Sequence, residues 1–262
     1  MPNRSLTAAA LAAVATLSLA ASHPAAAPAA REVGHAQHWS YDGASGPEHW
    51  GDLDASFEAC KLGHRQSPID IPAATIKAAK LDPIRFEYRP APLRVVDNGH
   101  TVMATYAPGS VIRIGAAEYE LQQFHLHHPA EERIDGKSFP LDVHLVHRDR
   151  QGKLAVVAVL FREGAANPSL ETVLGRLPSK KNEEALPSGV VVDASALLPA
   201  EASYLTFPGS LTTPPCSEGV TWYVLRTPVT ASAEQIAAFA KRYPHNARPV
   251  QPVEGRDIRA SE

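Results

Sequence analysis

Residues 110–129 read SVIRIGAAEYELQQFHLHHP. Apolar and polar residues alternate through most of this run, the period-two pattern of a half-buried β-strand. Strand side chains point alternately to the two faces, so Gln123, His125 and His127 share one face and His128 lies on the other. Two imidazoles spaced in this way can bind one metal ion together. A catalytic zinc takes three protein ligands and keeps one position open, so a third ligand has to come from elsewhere in the chain.

The best candidate lies in LDVHLVHRD, residues 141–149, where strand parity puts Asp142, His144 and Val146 on one face and His147 on the other. A carboxylate beside a ligand histidine accepts the second ring N–H, fixes the tautomer and raises the basicity of the ligand. Further short β-rich runs surround these two. They are LRVVDNGHTVMATY (93–106), LAVVAVLFRE (154–163) and VTWYVLRTPV (220–229), with DGK (135–137) and DRQGK (149–153) as turns. Short connections make the pairing mostly antiparallel. Helical signals are confined to Asn167–Leu177 and to Ser232–Arg242, where Ser232 can cap an Ala-rich amphipathic segment. The fold class is therefore predominantly β within an α+β chain, with peripheral short helices.

Composition agrees with a globular domain: of 262 residues, 44% are hydrophobic and 20% charged, enough apolar content to build a core. The net charge of −3 is spread along the chain and no basic cluster exceeds the pair Lys180–Lys181, which excludes an electrostatic footprint for nucleic acid or an anionic membrane surface. The first residues carry one early base, Arg4, then an apolar Ala-rich segment over 8–20, and read as a secretory signal peptide. Residues 1–20 are assigned to that leader, 21–34 to a flexible Pro/Ala lead-in, and 35–262 to one domain. No other apolar run approaches membrane-spanning length. An exported chain meets an oxidising compartment, so Cys60 and Cys216 read as a disulfide, the alternative being two separate buried thiols. His35 and His38 read as surface histidines, the alternative being a second metal site. In YLTFPGSLTTPPCSEGVTWYVL (204–225), Thr212 and Thr213 precede two prolines that donate no backbone N–H, which leaves their hydroxyls beside a rigid turn.

Taken together, HWSYDG, GPEHWGDL, RQSPIDI, VVDNGHTV, QFHLHHPAEERIDGKSFPLDVHLVHRD, FPGSLTTPPCSEGVTW and NARPVQP occur in an order that resembles the α-class carbonic anhydrases, bacterial exported members above all. The resemblance implies one domain around a large twisted, mostly antiparallel sheet of about ten strands, with a metal at the bottom of a conical cavity. It implies zinc as the cofactor, one ion per chain, on His125, His127 and His144, the trio reached from strand parity. Gln123 and Asp142 fall at the positions that hold the ligand rings, Thr212 at the threonine that orients a zinc-bound hydroxide, and Glu131 at the glutamate that orients the threonine. His100 matches the proton shuttle, with Tyr41 and Asn98 on the water chain that serves it. Thr213 lines the substrate side, and Val146, Val156, Leu211, Val220 and Trp222 match the apolar wall where carbon dioxide docks.

Two residues depart from the family pattern. Asp142 replaces a glutamate and is one methylene shorter, and Met103 stands where a polar Asn or Gln is usual. Glu132 adjoins Glu131, and the spacing from His127 favours Glu131 as the residue facing Thr212. The implied reaction is the reversible hydration of CO2 to bicarbonate and a proton in the periplasm or outside the cell, with side activity on activated esters. The expected partners are these small molecules, no nucleic acid and no membrane after leader cleavage, and a homodimer is compatible with the sequence. A cupin-type metal enzyme also uses an H-x-H pair, a nearby Glu and a distant His, but it explains neither Thr212–Pro215 nor the Asp142–His144 pair. A non-catalytic binding module of the same family would be expected to have lost a ligand histidine, and all three are present.

Overall fold

The structure, a computed structural model, describes residues 38–261. The leader, the lead-in and His35 lie outside the described residues. Seven strands position the site: β1 (Val95–Asp97), β2 (Val102–Thr105), β3 (Ala117–His127), β4 (Leu141–Arg148), β5 (Leu154–Glu163), β6 (Tyr204–Ser210) and β7 (Glu218–Leu225). They belong to a 13-stranded sheet in which the order across the middle is β1-β2-β3-β4-β5-β7-β6. Most neighbours are antiparallel, as short connections require, but β5 and β7 run parallel.

Local chemistry explains the individual elements. The turn between β1 and β2 is held by Asn98, whose Oδ1 accepts the N–H groups of His100 (3.0 Å) and Thr101 (2.8 Å). Asp149 Oδ1 accepts from Gln151 N–H and Lys153 N–H and so closes the hairpin between β4 and β5. The long run 110–127 is two strands rather than one. Val111–Ile114 pairs antiparallel with the start of β3 through a tight turn at Gly115, whose φ of +58° suits a residue without Cβ.

The helices follow their capping signals. In α1 (Pro168–Leu174) the Asn167 side chain accepts from Ser169 N–H and Leu170 N–H, and Pro168 occupies the first turn. This helix stops at Gly175, before the expected Leu177. The longest helix, α2 (Ala233–Arg242), begins with a reciprocal Ser232–Gln235 capping box and ends on Lys241 and Arg242, favourable charges for a helix C-terminus, and two further one-turn helices, Trp50–Leu53 and Ala59–Leu62, carry no signal in the sequence pattern.

Alternation along the central strands divides the apolar residues between the two faces of the sheet. Phe124, Leu126, Val143, Leu145, Val157 and Val159 belong to one buried cluster. Val156, Ala158, Leu160, Phe207, Val220, Trp222 and Val224 belong to a second, with Val146 and Leu211 packed against it. A smaller cluster joins Trp50 and Phe57 to the Cys60–Cys216 disulfide, so the expected cross-link forms. No helix among the described residues is long and apolar enough to cross a membrane.

Candidate metal centre

The register of β3 against β4 sets His125 directly opposite His144 and His127 opposite Asp142. Cross-strand neighbours in an antiparallel pair are about 5 Å apart at Cβ, so one face of two strands collects three imidazoles. One ring nitrogen from each of His125, His127 and His144 lies within 4.8 Å of the others. The ring centroids of His127 and His144 are 4.6 Å apart, those of His125 and His127 5.0 Å.

Each ring is aimed by a bond to its outer nitrogen. His125 Nδ1 donates to Gln123 Oε1 at 2.8 Å, His127 Nδ1 to the Asn246 carbonyl at 2.7 Å, and His144 Nε2 to Glu132 Oε2 at 3.0 Å. The inner atoms are therefore Nε2 of His125 and His127 and Nδ1 of His144. His127 Nε2 is buried and has no hydrogen-bond partner, an orphan that a cation would satisfy. Three inner ring nitrogens with oriented outer bonds suit zinc.

Electrostatics prepare the rings differently. Burial, then the like charges of His127 and His144, push His125 well below the usual histidine range, so its ring is neutral and its lone pair free. Burial also acts against protonation of His144, but Asp142 and Glu132 together outweigh it and raise this histidine. Burial pushes Glu132 up to about 7, whereas Asp142 is held low because His144 and the Glu131 N–H overcome its burial.

Around the trio the structure places the remaining expected residues. Glu131 and Thr212 are buried. Glu131 Oε1 accepts the Arg248 N–H at 2.7 Å, while Oε2 has no hydrogen-bond partner and lies 3.6 Å from His127 Nε2. A cavity of about 130 Å³ opens from His125 and His127, lined by Gln123, Tyr41, Asn98, His100, Met103 and Thr213. Met103 faces His125 across β2 and β3. At the rim the His100 ring stacks on Trp39, with centroids 3.6 Å apart and planes inclined by 10°. Burial, then His38 and Lys181, push His100 down to about 4. His128, on the opposite face, bonds Pro244 O through Nδ1. Trp222 meets His144 edge to face at 4.9 Å, and the other wall residues Val146, Val156, Leu211 and Val220 share its apolar cluster.

Asp142 shares its place beside His144 with Glu132. Its Oδ2 accepts the Glu131 N–H at 2.8 Å and stands 3.4 Å from His144 Nε2, so Glu132 is the nearer carboxylate. Asn246, within NARPVQP, is a functional neighbour that the sequence pattern does not mark. Its carbonyl holds His127, its Oδ1 accepts the His128 N–H, and its Nδ2 donates to the His100 and Leu126 carbonyls. A backbone carbonyl as partner leaves no mark in residue type.

Such a sheet, with three imidazoles on two neighbouring strands and an apolar cluster beside them, defines a β-sheet protein with a three-histidine cluster able to hold a metal ion. A family model described as eukaryotic-type carbonic anhydrase matches residues 45–262. A carbonic anhydrase of a Nostoc species is 43% identical over 222 residues, covering 84% of each chain. That of Pectobacterium carotovorum is 45% identical over 222 residues, covering 84% of this chain and 90% of its own. The α-carbonic anhydrase from Thermovibrio ammonificans, solved with the inhibitor sulfanilamide, superposes with a TM-score of 0.82 at 40% identity over 85% of this chain and 99% of that one. The chain belongs to the eukaryotic-type, or α, carbonic anhydrase family, a family of enzymes.

Proposed function

We propose that this chain is an exported zinc enzyme that interconverts carbon dioxide and bicarbonate, with residues 35–262 as its mature catalytic domain. The observation that carries the reading is the set of three inner imidazole nitrogens, each ring aimed from behind, at the edge of an apolar wall. Zinc held by His125, His127 and His144 would supply Lewis acidity that makes hydroxide available near neutral pH, a behaviour for which carbonic anhydrases are themselves the standard example.

The chain's own side chains then orient and exclude. In the working site Thr212 would donate its hydroxyl proton to Glu131, whose Oε2 is buried and has no partner of its own. The threonine oxygen is thereby restricted to accepting, which aims the lone pair of an attacking hydroxide at the substrate carbon. Glu131 keeps its own orientation because Oε1 is fixed by the Arg248 N–H. Val146, Val156, Leu211, Val220 and Trp222 offer a neutral, weakly hydrogen-bonding molecule a surface without competing donors. Thr213 lines the cavity that opens from His125 and His127, and charged bicarbonate leaves in exchange for water.

Each turnover releases a proton, and histidine is the side chain suited to carry it near neutral pH. His100 serves as that carrier, between the cavity and the rim, with Tyr41 and Asn98 bordering the water path. Stacked on Trp39 it has too low an affinity for protons, so the carrying state is the ring swung away from Trp39 into solvent. Export is supported by the Cys60–Cys216 disulfide, which needs an oxidising compartment to persist.

The test is stopped-flow CO2 hydration with a pH indicator on purified protein of measured zinc content. Fast hydration that disappears in His144→Ala together with the zinc supports the reading. A folded, fully zinc-loaded protein that does not hydrate CO2 overturns it.

A further inference from the structure

Glu132 occupies a place that the strand pattern did not assign. Its residue is fully buried, and its Oε2 takes the His144 Nε2–H at 3.0 Å. Asp142, the same-face carboxylate two residues before His144, spends its Oδ2 on the Glu131 N–H at 2.8 Å and stays 3.4 Å from that ring nitrogen. Both carboxylates keep one oxygen without a hydrogen-bond partner, Oδ1 of Asp142 and Oε1 of Glu132. A burial of this cost is tolerated where a strong donor compensates it, and His144 is the donor the two share.

The stem lengths explain the division. An aspartate at 142 is short enough to be captured by the adjoining backbone at Glu131. Glu132, in the segment after β3, has one more methylene and completes the approach to Nε2. We infer that Glu132 is the positioning residue that fixes the tautomer and orientation of His144 as a metal ligand, while Asp142 fixes the Glu131 backbone. This rests on the zinc reading above.

The consequence is read in metal affinity. Partners that orient a ligand imidazole are worth roughly 10–100-fold in metal binding. Zinc dissociation constants measured by chelator competition should rise by about that factor in Glu132→Gln and Glu132→Ala, and by less in Asp142→Asn. Near-UV circular dichroism of the metal-free forms checks that the fold is retained, and Glu132→Gln, which keeps the side-chain volume, serves if Glu132→Ala does not fold. Adding Asp142→Glu to Glu132→Ala should restore tight binding, because the longer acid reaches Nε2. In the zinc-loaded protein the His144 ring N–H resonance should shift in the Glu132 variants and hold its place in Asp142→Asn. Glu132 variants that bind zinc as tightly as the parent, or an Asp142→Asn loss larger than that of Glu132→Gln, would overturn the inference and leave the zinc enzyme standing. A parent protein that binds no zinc would overturn both.

Discussion

Replacing Cys60 and Cys216 together with serine removes a cross-link between residues 156 apart in sequence. The chain-entropy cost of closing a loop of that length gives about 5 kcal/mol of lost stability, because the denatured chain regains the freedom that the bond denied it. In a domain of this size each kcal/mol moves the thermal midpoint by about 2–4 °C, so a fall of roughly 10–20 °C is expected. Thermal unfolding followed by circular dichroism reads that shift directly, and urea unfolding should show a larger m-value from a more open denatured state. The loss should also reach the site. Cys216 lies in the loop after β6, has φ of +55°, and donates its N–H to the Thr213 carbonyl at 2.8 Å, while Gln66 Nε2 donates to the Cys216 carbonyl at 3.0 Å. On the other side, Arg248 Nη2 donates to the Cys60 carbonyl at 3.0 Å, and the Arg248 N–H holds Glu131. Loosening Thr212 and Glu131 together should therefore lower the hydration rate at temperatures where the variant is still folded. A midpoint within about 3 °C of the parent, with an unchanged m-value, would refute the entropic account of this bond.

Trp39→Ala should let His100 return from about 4 toward its ordinary value of about 6.5, because burial is the main cause of the shift and Trp39 supplies the stacked surface. A His100 titration by NMR that does not move would reject that cause. The sign for stability follows. A folded value below the unfolded one means that the native state binds fewer protons, so this contribution is intact above about 6.5 and is lost as pH falls toward 4. Thr212→Val should lower CO2 hydration on the order of 100-fold with zinc content unchanged, the cost of an attacking group no longer aimed. An unaltered rate would remove Thr212 from the mechanism. His147 is buried, with Nε2 bonded to the Tyr88 hydroxyl at 2.7 Å and Nδ1 unpartnered, and burial pushes it down to about 3. Its ring should stay neutral in the folded protein from neutral pH to near that value, and Tyr88→Phe should cost about 1–3 kcal/mol in urea unfolding by leaving both ring nitrogens unsatisfied. Titration of His147 at an ordinary pH in the folded state would contradict its burial.

Residue order alone determined what depends on local periodicity and local hydrogen bonding. Period two put His125 and His127 on one strand face and His128 on the other, and the same parity joined Asp142, His144 and Val146. Ser232 announced the longest helix, because it satisfies an N–H group only a few residues away. Tertiary structure decided what depends on which strands meet and in what register. Nothing within β5 or β7 states that they pair in parallel, yet that pairing sets Val156 beside Trp222 and builds the apolar wall. The opposition of His125 and His144 comes from the β3–β4 register, which is specified by the whole buried face rather than by the histidines. The Asn246 carbonyl reaches His127 across 119 residues, and Glu132 stands nearer the His144 ring nitrogen than Asp142 does, 3.0 Å against 3.4 Å. Alternation tells which face a side chain leaves from; only the packed chain decides how far it has to reach and which neighbour has already claimed its oxygen.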